Sequence, residues 1–136
     1  YEMTSSLVGS EMCIRDRNVT EEYLAHLREI HISYVIVSDA TNLREGLEAV
    51  GREFGIRRVS VQGGGILNGA LLAEGLIDEL SLVVYPGIDG LSGVPSIFEY
   101  MGGATEYPAQ GQRLQLLSAS HREHGVMWMR YEFHKD

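Results

Sequence analysis

Apolar residues recur along this chain with two periods, one typical of helices and one typical of strands. From Thr20, a candidate N-cap, apolar side chains follow one another at helical spacing up to Ile30. The β-branched run at residues 34–37 predicts a strand buried on both faces, as in a parallel sheet. Residues 43–54 return to the helical period, which ends at Gly55. The first half of the chain is therefore predicted to alternate between helix and strand.

The same alternation continues towards the C-terminus. The further predicted elements are a strand at residues 58–62, a helix at 66–74, a strand at 79–85, and two hairpin strands at 114–122 and 126–133. Crossovers between strands separated by helices are right-handed and place helices on both faces of a parallel sheet. A hairpin adds antiparallel strands. The sequence therefore predicts an α/β fold whose sheet is mixed, mainly parallel, and closed by a C-terminal antiparallel hairpin.

The first 17 residues differ from the rest of the chain. They show neither period, and residues 5–17 resemble translated read-through of a sequencing adapter. We predict that residues 1–17 are a non-native or disordered tail, with a natural disordered terminus as the alternative. Residues 18–136 are then expected to be one domain whose N-terminal part is missing.

Composition narrows the classes of function. The net charge of -8 repels phosphate backbones and anionic lipid, and no apolar run approaches the roughly 20 residues that cross a bilayer. Lys135 is the only lysine and Cys13 the only cysteine, which gives no support to a lysine nucleophile, a disulfide or a multi-cysteine metal site. We expect a cytoplasmic protein that binds no nucleic acid, no membrane and no metal.

Three successive glycines, Gly63 to Gly65, join the predicted strand at residues 58–62 to the helix at 66–74. Their unblocked amides and the positive helix terminus favour an anion, and Gly69 would let the helix approach the sheet closely. The spacing misses the dinucleotide fingerprint by one residue, and no Gly-Lys-Ser/Thr follows as in a P-loop. The pattern alone therefore supports a phosphate site and a purely structural turn equally.

A polar turn follows the first predicted strand. It contains Ser38, Asp39, Thr41 and Asn42, residue types that form turns and cap helices. Ser38 and Asp39 lie where they could also reach a cofactor, at the carboxyl end of a strand. The favoured interpretation of both residues is a helix cap, and cofactor binding is the alternative.

The glycine turn opens a longer motif. This motif spans residues 62–80 and is followed by Tyr85-Pro86-Gly87 and by a closing hairpin with Trp128. It resembles the reductase domain of the bifunctional riboflavin-biosynthesis deaminase-reductase, and the similarity runs from about His31 to Phe133. The resemblance implies the three-layer α/β/α fold of the dihydrofolate reductase-like superfamily, NADPH as the cofactor, and a homodimer for the full-length protein.

The resemblance also implies roles for individual residues. Gln62 takes the substrate-binding position, where the family usually has Glu, and an amide cannot carry the negative charge of a carboxylate. The implied cofactor-binding residues are Gly63, Gly64, Gly65, Ile66, Leu67, Asn68, Gly69 and Ala70, with Ser38 and Asp39 as further candidates. The family's Ser-x-Asp-Gly substrate motif has no match here. The catalytic residues are therefore expected on the missing N-terminal part, and this chain by itself is expected to be inactive.

The implied function is that of an oxidoreductase of bacterial riboflavin biosynthesis. Its reaction is hydride transfer from NADPH to a ribosylamino-pyrimidine, as in a 5-amino-6-(5-phosphoribosylamino)uracil reductase. Two alternatives stay open. One is an enzyme that reduces a dihydrofolate or another pterin, and the other is a non-catalytic nucleotide-binding fragment, which Gln62 and the unmatched motif favour.

Overall fold

The computed structural model describes residues 4–7, 10–15, 18–39 and 41–136 of the chain. Strands and helices alternate in the first half, and strands dominate the second. In chain order the elements are β1 (Thr4–Leu7), β2 (Ser10–Arg15), α1 (Glu21–Glu29), β3 (Ser33–Ile36), α2 (Leu43–Phe54), α3 (Gly65–Ala73), β4 (Glu79–Val84), β5 (Gln112–His121) and β6 (Met127–Lys135).

The strands form two separate three-stranded sheets. In the first, β2 lies between β1 and β3, antiparallel to β1 and parallel to β3. In the second, β6 lies between β4 and β5 and is antiparallel to both. The predicted mixed α/β fold and its C-terminal hairpin are confirmed. The expected predominance of parallel strands is not found, since one of the four described ladders is parallel and three are antiparallel.

The prediction of a strand at residues 58–62 is wrong. The backbone from Gly55 to Gly64 is irregular, although burial alternates residue by residue from Val59 to Gly64 as it does in a strand. A strand needs a neighbour to complete its backbone hydrogen bonds. The ladders of β3 and β4 go to β2 and β6, and no described strand pairs with residues 58–62. Burial therefore alternates here as it does in a strand, although these residues belong to no sheet.

The N-terminal segment contributes backbone to the first sheet. Both β1 and β2 lie within residues 1–17, the stretch predicted to be non-native or disordered, and β2 follows β3 in register from Met12 opposite Ser33 to Arg15 opposite Ile36. The remaining residues of that stretch lie outside the described part of the chain. The foreign origin of residues 1–17 and the domain boundary at residue 18 stay predictions.

The first two helices begin as their sequences predict. The Thr20 hydroxyl caps α1 by accepting a hydrogen bond from the Tyr23 amide at 3.3 Å. The Asn42 side chain caps α2 by accepting one from the Glu45 amide at 3.0 Å. Gly55 ends α2 in the left-handed conformation, with φ of 65°. These local signals therefore fix both helix starts and the end of α2.

Helices cover both faces of β3. Successive side chains of a strand point to opposite faces. On one face Tyr34 packs against Leu24 and Leu27 of α1. On the other face, Val35 and Val37 join a core that α2 and α3 supply through the buried residues Leu43, Ala49, Val50 and Leu71. The layered α/β/α arrangement expected from the resemblance is confirmed around this strand.

The second sheet adds no buried residue to this core and contacts α3 through Gln112, whose side-chain amide donates to the Leu72 carbonyl at 2.8 Å. No residue from Ala73 to Asp136 is buried. Directly paired residues of β4, β5 and β6 place their side chains on the same face. One face of the sheet is apolar, and we call it the apolar sheet face. Its apolar residues are Leu80, Leu82, Val84, Leu114, Leu116, Ala119, Met127, Met129, Tyr131 and Phe133, and Gln112, His121 and Lys135 lie at its ends.

Candidate functional site

The glycine turn leaves the start of α3 without a protein cap. Gly64 is the N-cap residue and has no side chain with which to cap. The first helical bond runs from the Asn68 amide to the Gly64 carbonyl at 3.1 Å. Within the described residues, the amides of Gly65, Ile66 and Leu67 make no hydrogen bond. Three backbone donors at the positive end of the helix are therefore available to an anion.

The space in front of Gly64 is open. Its φ of -70° and ψ of 177° are ordinary for any residue, and a Cβ built there would meet no atom within 4 Å. Neither backbone strain nor packing requires glycine at this position. Gly64 thus leaves room for a bulky group to approach the helix start, which is the arrangement a diphosphate needs.

A second segment crosses the adjacent side of α3. Residues 96–100, which we call the crossing segment, are anchored by a hydrogen bond from the Glu99 amide to the Gly65 carbonyl at 2.8 Å. The Asn68 side-chain amide donates to the Ile97 carbonyl at 2.9 Å. A Cβ on Gly65 would clash with the Ser96 carbonyl oxygen. The crossing segment therefore closes this side of the helix start.

Gly69 also makes room for the contact between α3 and the crossing segment. A Cβ at this position would clash with the Glu99 carbonyl and would lie 2.8 Å from the Tyr100 amide nitrogen. The expectation that Gly69 lets the helix approach the sheet is therefore wrong. The close neighbour of Gly69 is the backbone of the crossing segment and not a strand.

The crossing segment also brings a carboxylate to the glycine turn. Glu99 is half-buried, and its Oε2 atom lies 3.0 Å from the position of a Gly65 Cβ. Beside it lies a small apolar pocket of about 120 Å³, lined by Ile66, Ala70, Tyr100 and Met101. A hydrogen bond to Glu106 raises the pKa of the Tyr100 phenol. This pocket is smaller than the roughly 300–1,000 Å³ of a typical ligand site.

Comparison with known proteins identifies the family. The family described as the RibD C-terminal domain matches residues 3–128. The chain belongs to this family. The predicted recognition of a riboflavin-pathway reductase family is thereby confirmed. Among curated protein sequences, none matches this chain significantly.

Solved structures share the fold of this RibD C-terminal domain. A pyrimidine reductase-like protein from Corynebacterium diphtheriae has a TM-score of 0.69 and 21% identity, over 92% of this chain and 50% of its own. Forms 1 and 2 of RibD from Acinetobacter baumannii each have a TM-score of 0.63 and 24% identity, over 90% and 89% of this chain and 31% of theirs. The RibD C-terminal domain described here thus spans half or less of the length of these relatives.

Ser38 and Asp39 are engaged within their own turn. The Glu45 carboxylate accepts hydrogen bonds from the Ser38 amide at 3.0 Å and from its hydroxyl at 2.7 Å. The Asp39 carboxylate accepts from the Thr41 amide at 2.8 Å and hydroxyl at 2.6 Å. The favoured cap interpretation is wrong in its residues, since Asn42 caps α2. Both side chains instead stabilise the turn before the helix, and their cofactor role stays a prediction.

These hydrogen bonds lower the pKa values of the two carboxyl groups in the turn. The bonds from the Ser38 amide and hydroxyl lower the pKa of Glu45 below its usual value. The bonds from the Thr41 hydroxyl and amide lower the pKa of Asp39 in the same way. Both carboxylates therefore stay charged to lower pH than free carboxyl groups do.

Gln62 precedes the glycine turn and is exposed. Within the described part of the chain its side chain makes no hydrogen bond, so it is available to a ligand. Its substrate role stays a prediction. No helix in the described residues has the length and apolarity needed to cross a membrane. The same residues hold no group of three His, Cys, Asp or Glu side chains arranged for a metal ion.

Sequence reasoning missed the crossing segment, the carboxylate of Glu99 and the role of Glu45. One signal was present for the first of these. Gly65 and Gly69 are four residues apart and therefore share a helix face, which predicts that some backbone approaches closely there. Nothing in the sequence indicates which segment it is, because residues 96–100 lie about 30 positions away.

Proposed function

We propose that this RibD C-terminal domain is the NADPH-binding part of a reductase that acts on a ribosylamino-pyrimidine in riboflavin biosynthesis. The observation that carries the proposal is the open, uncapped start of α3 at Gly64, where three amides lack partners among the described residues. A diphosphate fits such a start because backbone donors and the helix dipole both favour negative charge. Family membership supports the same function.

In the proposed site, the amides of Gly65, Ile66 and Leu67 hold the diphosphate of the cofactor. When bound, NADPH would supply a hydride for the ribosylamino carbon, whose bond to the ring oxygen breaks while that oxygen takes up a proton, so that the ribose becomes a ribityl chain. Gln62, exposed beside the turn, contacts the substrate through its amide. The contribution of this chain is positioning, which is a large part of catalysis when two reactants must meet.

The proposal is tested by titrating the protein with NADPH and following nicotinamide fluorescence. Gly64→Leu places a side chain in the space where the diphosphate is expected, so the dissociation constant should rise at least tenfold, about 1.4 kcal/mol. Gly64→Ala should raise it less. Gly103→Leu is the control, because a Cβ there meets only Glu106 atoms at 3.5 Å or more. Unchanged affinity in Gly64→Leu, with melting temperature retained, would refute the proposal.

A second candidate is a nucleotide-binding fragment without catalysis. It is favoured by Gln62, which stands where the family usually has Glu and cannot carry negative charge. Turnover assays on the intact protein, with a ribosylamino-pyrimidine and with a pterin, separate the candidates. Reduction of the pyrimidine supports the proposed function, reduction of the pterin alone points to a dihydrofolate reductase-like enzyme, and binding without turnover favours the fragment.

We further propose that the whole protein is a cytoplasmic homodimer. The support is the apolar sheet face, which has Val84, Leu114 and Leu116 between 44% and 53% exposed. The register of the strands places Glu79 and Glu132 on the opposite face, so the apolar sheet face carries no acidic side chain, although the chain as a whole carries a charge of -8. Two copies with like charge can approach most readily through a face without acidic side chains.

A further inference from the structure

The crossing segment places Glu99 at the start of α3 with a fixed backbone. Its amide donates to the Gly65 carbonyl at 2.8 Å. Its Cγ and Oε2 atoms both lie 3.0 Å from the position that a Gly65 Cβ would take. The absence of a side chain at Gly65 therefore makes room for the Glu99 carboxylate beside the uncapped amides.

This carboxylate has no partner among the residues that the structure describes. Within the described residues, Glu99 accepts no hydrogen bond and forms no ion pair through its side chain. It is nevertheless half-buried, so part of its hydration is lost. An ionised carboxylate only accepts hydrogen bonds. The donors to the Glu99 carboxylate are therefore water or groups of a bound ligand.

The chemistry of the proposed ligand supplies such a donor. A diphosphate on the amides of Gly65 and Ile66 lies close to the carboxylate and repels it, because both are negative. The donors nearest to the diphosphate of a nucleotide are the hydroxyl groups of its ribose. A hydrogen bond from a hydroxyl to an ionised acceptor is about twice as strong as one between neutral groups. Such a bond offsets the repulsion.

We propose that Glu99 is a specificity-determining residue that accepts a hydrogen bond from a ribose hydroxyl of the bound nucleotide. The inference rests on the proposed function, since it requires the diphosphate at the start of α3. It adds a contact on the ribose that distinguishes a nucleotide from a bare diphosphate. Asn68 and Gly69 act as positioning residues, because they hold the crossing segment against α3.

Two ligands separate the ribose contact from the repulsion. Inorganic diphosphate and ADP-ribose both place a diphosphate on the amides, whereas ADP-ribose alone carries ribose hydroxyls. The negative charge of Glu99 repels both ligands. Inorganic diphosphate carries the greater negative charge, so the change in the ratio of the two dissociation constants in Glu99→Gln, which keeps an acceptor, includes the charge effect. The further change in that ratio in Glu99→Ala isolates the hydroxyl contact.

The experiment is isothermal titration of the protein with each ligand. Glu99→Ala removes the acceptor, so the preference for ADP-ribose over diphosphate should fall about tenfold, as expected for a hydrogen bond to a charged group. Glu99→Gln keeps a neutral acceptor, and the preference should fall about threefold. Glu74→Gln is the control, because it removes one exposed carboxylate at the opposite end of the same helix.

Each other outcome overturns the inference. If both Glu99 variants bind the two ligands more tightly by the same factor, Glu99 only repels anions, and the proposed function stands without the ribose contact. If the preference is unchanged in both variants while the melting temperature is retained, the contact does not exist. If the unmodified protein binds neither ligand, the inference and the proposed function fail together.

Discussion

Gly64 and Gly65 of the turn look alike in the sequence, but their surroundings in the structure differ. Gly64 has an ordinary φ and open space around it, whereas Gly65 lies under the crossing segment and has no room for a Cβ. Sequence reasoning predicted the turn and its open amides correctly. It could not distinguish the two glycines, because packing against residues 96–100 is a tertiary contact with no local pattern.

Gly69→Ala tests that packing. Its Cβ would meet backbone atoms of Glu99, and such overpacking costs roughly 1–3 kcal/mol. Alanine in a helix recovers about 1 kcal/mol over glycine. We expect a net loss of about 1 kcal/mol in the free energy of unfolding, measured with urea.

Gly103→Ala is the matched control for that substitution, since its Cβ would meet only Glu106 side-chain atoms at 3.5 Å or more. Its stability should stay within about 0.5 kcal/mol of the unmodified protein. If the two alanine variants are equally stable, the crossing segment is not seated on α3 as the structure has it.

At the scale of the element, the start of α2 combines a cap with a turn. Asn42 caps the helix, and Glu45 reaches back from the first turn to the amide and hydroxyl of Ser38. This resembles a capping box in which the carboxylate contacts a residue further upstream than usual. Capping rules are local, so the sequence predicted the helix start within one residue. The sequence could not predict that Glu45 accepts the hydrogen bonds of Ser38, because this contact depends on the conformation of the turn.

The pH dependence of stability checks the role of Glu45. Its pKa is lowered in the folded state, so the stabilisation is present above the unfolded pKa and is lost as pH falls through the folded pKa. Between about pH 5 and pH 3, the free energy of unfolding should fall less steeply in Glu45→Gln than in the unmodified protein.

A part of that slope should remain in the variant, since Asp39 has a lowered pKa as well. Glu48→Gln removes one exposed carboxylate from the same helix and controls for net charge. Chemical unfolding at a series of pH values gives the slopes, and identical slopes for all three proteins would contradict the assignment. The effect should weaken in high salt, because the turn is solvent-exposed.

Residues 58–62 show where element prediction stops. Their burial alternates as expected, and Val61 packs partly against the core. The alternation predicts an extended backbone, which is a local property. Membership of a sheet also requires a neighbouring strand, which is a property of the whole molecule. The hairpin of β5 and β6 was predicted correctly because its two strands are adjacent in the sequence.

At the scale of the whole molecule, the two halves of the chain differ in how they are held together. Among the residues whose burial is described, all nine buried apolar ones lie between Leu24 and Leu72, and none from residue 73 onward is buried. Backbone ladders and surface ion pairs, such as Arg130 with Glu79 at 2.6 Å, join β4, β5 and β6. Exposed ion pairs add little stability, so the second sheet depends on burying its apolar face.

Leu116→Lys tests whether a second copy provides that burial. Leu116 is 53% exposed on the apolar sheet face, and a lysine there places a charge in the proposed interface. Sedimentation velocity should show a dimer for the unmodified protein and a shift towards monomer for the variant. Ser118→Lys, on the opposite face of the same strand, should leave the dimer intact. A monomer at all concentrations in the unmodified protein would refute the homodimer.

The crossing segment should determine how nucleotide affinity depends on temperature. It is held to α3 by two hydrogen bonds and by contacts at Gly65 and Gly69, while residues 96–100 belong to no strand or helix. Segments with few buried contacts open locally before a domain melts. Affinity for a nucleotide should therefore decline at temperatures where the helices are still intact, so that the working range of the protein ends well below its melting point.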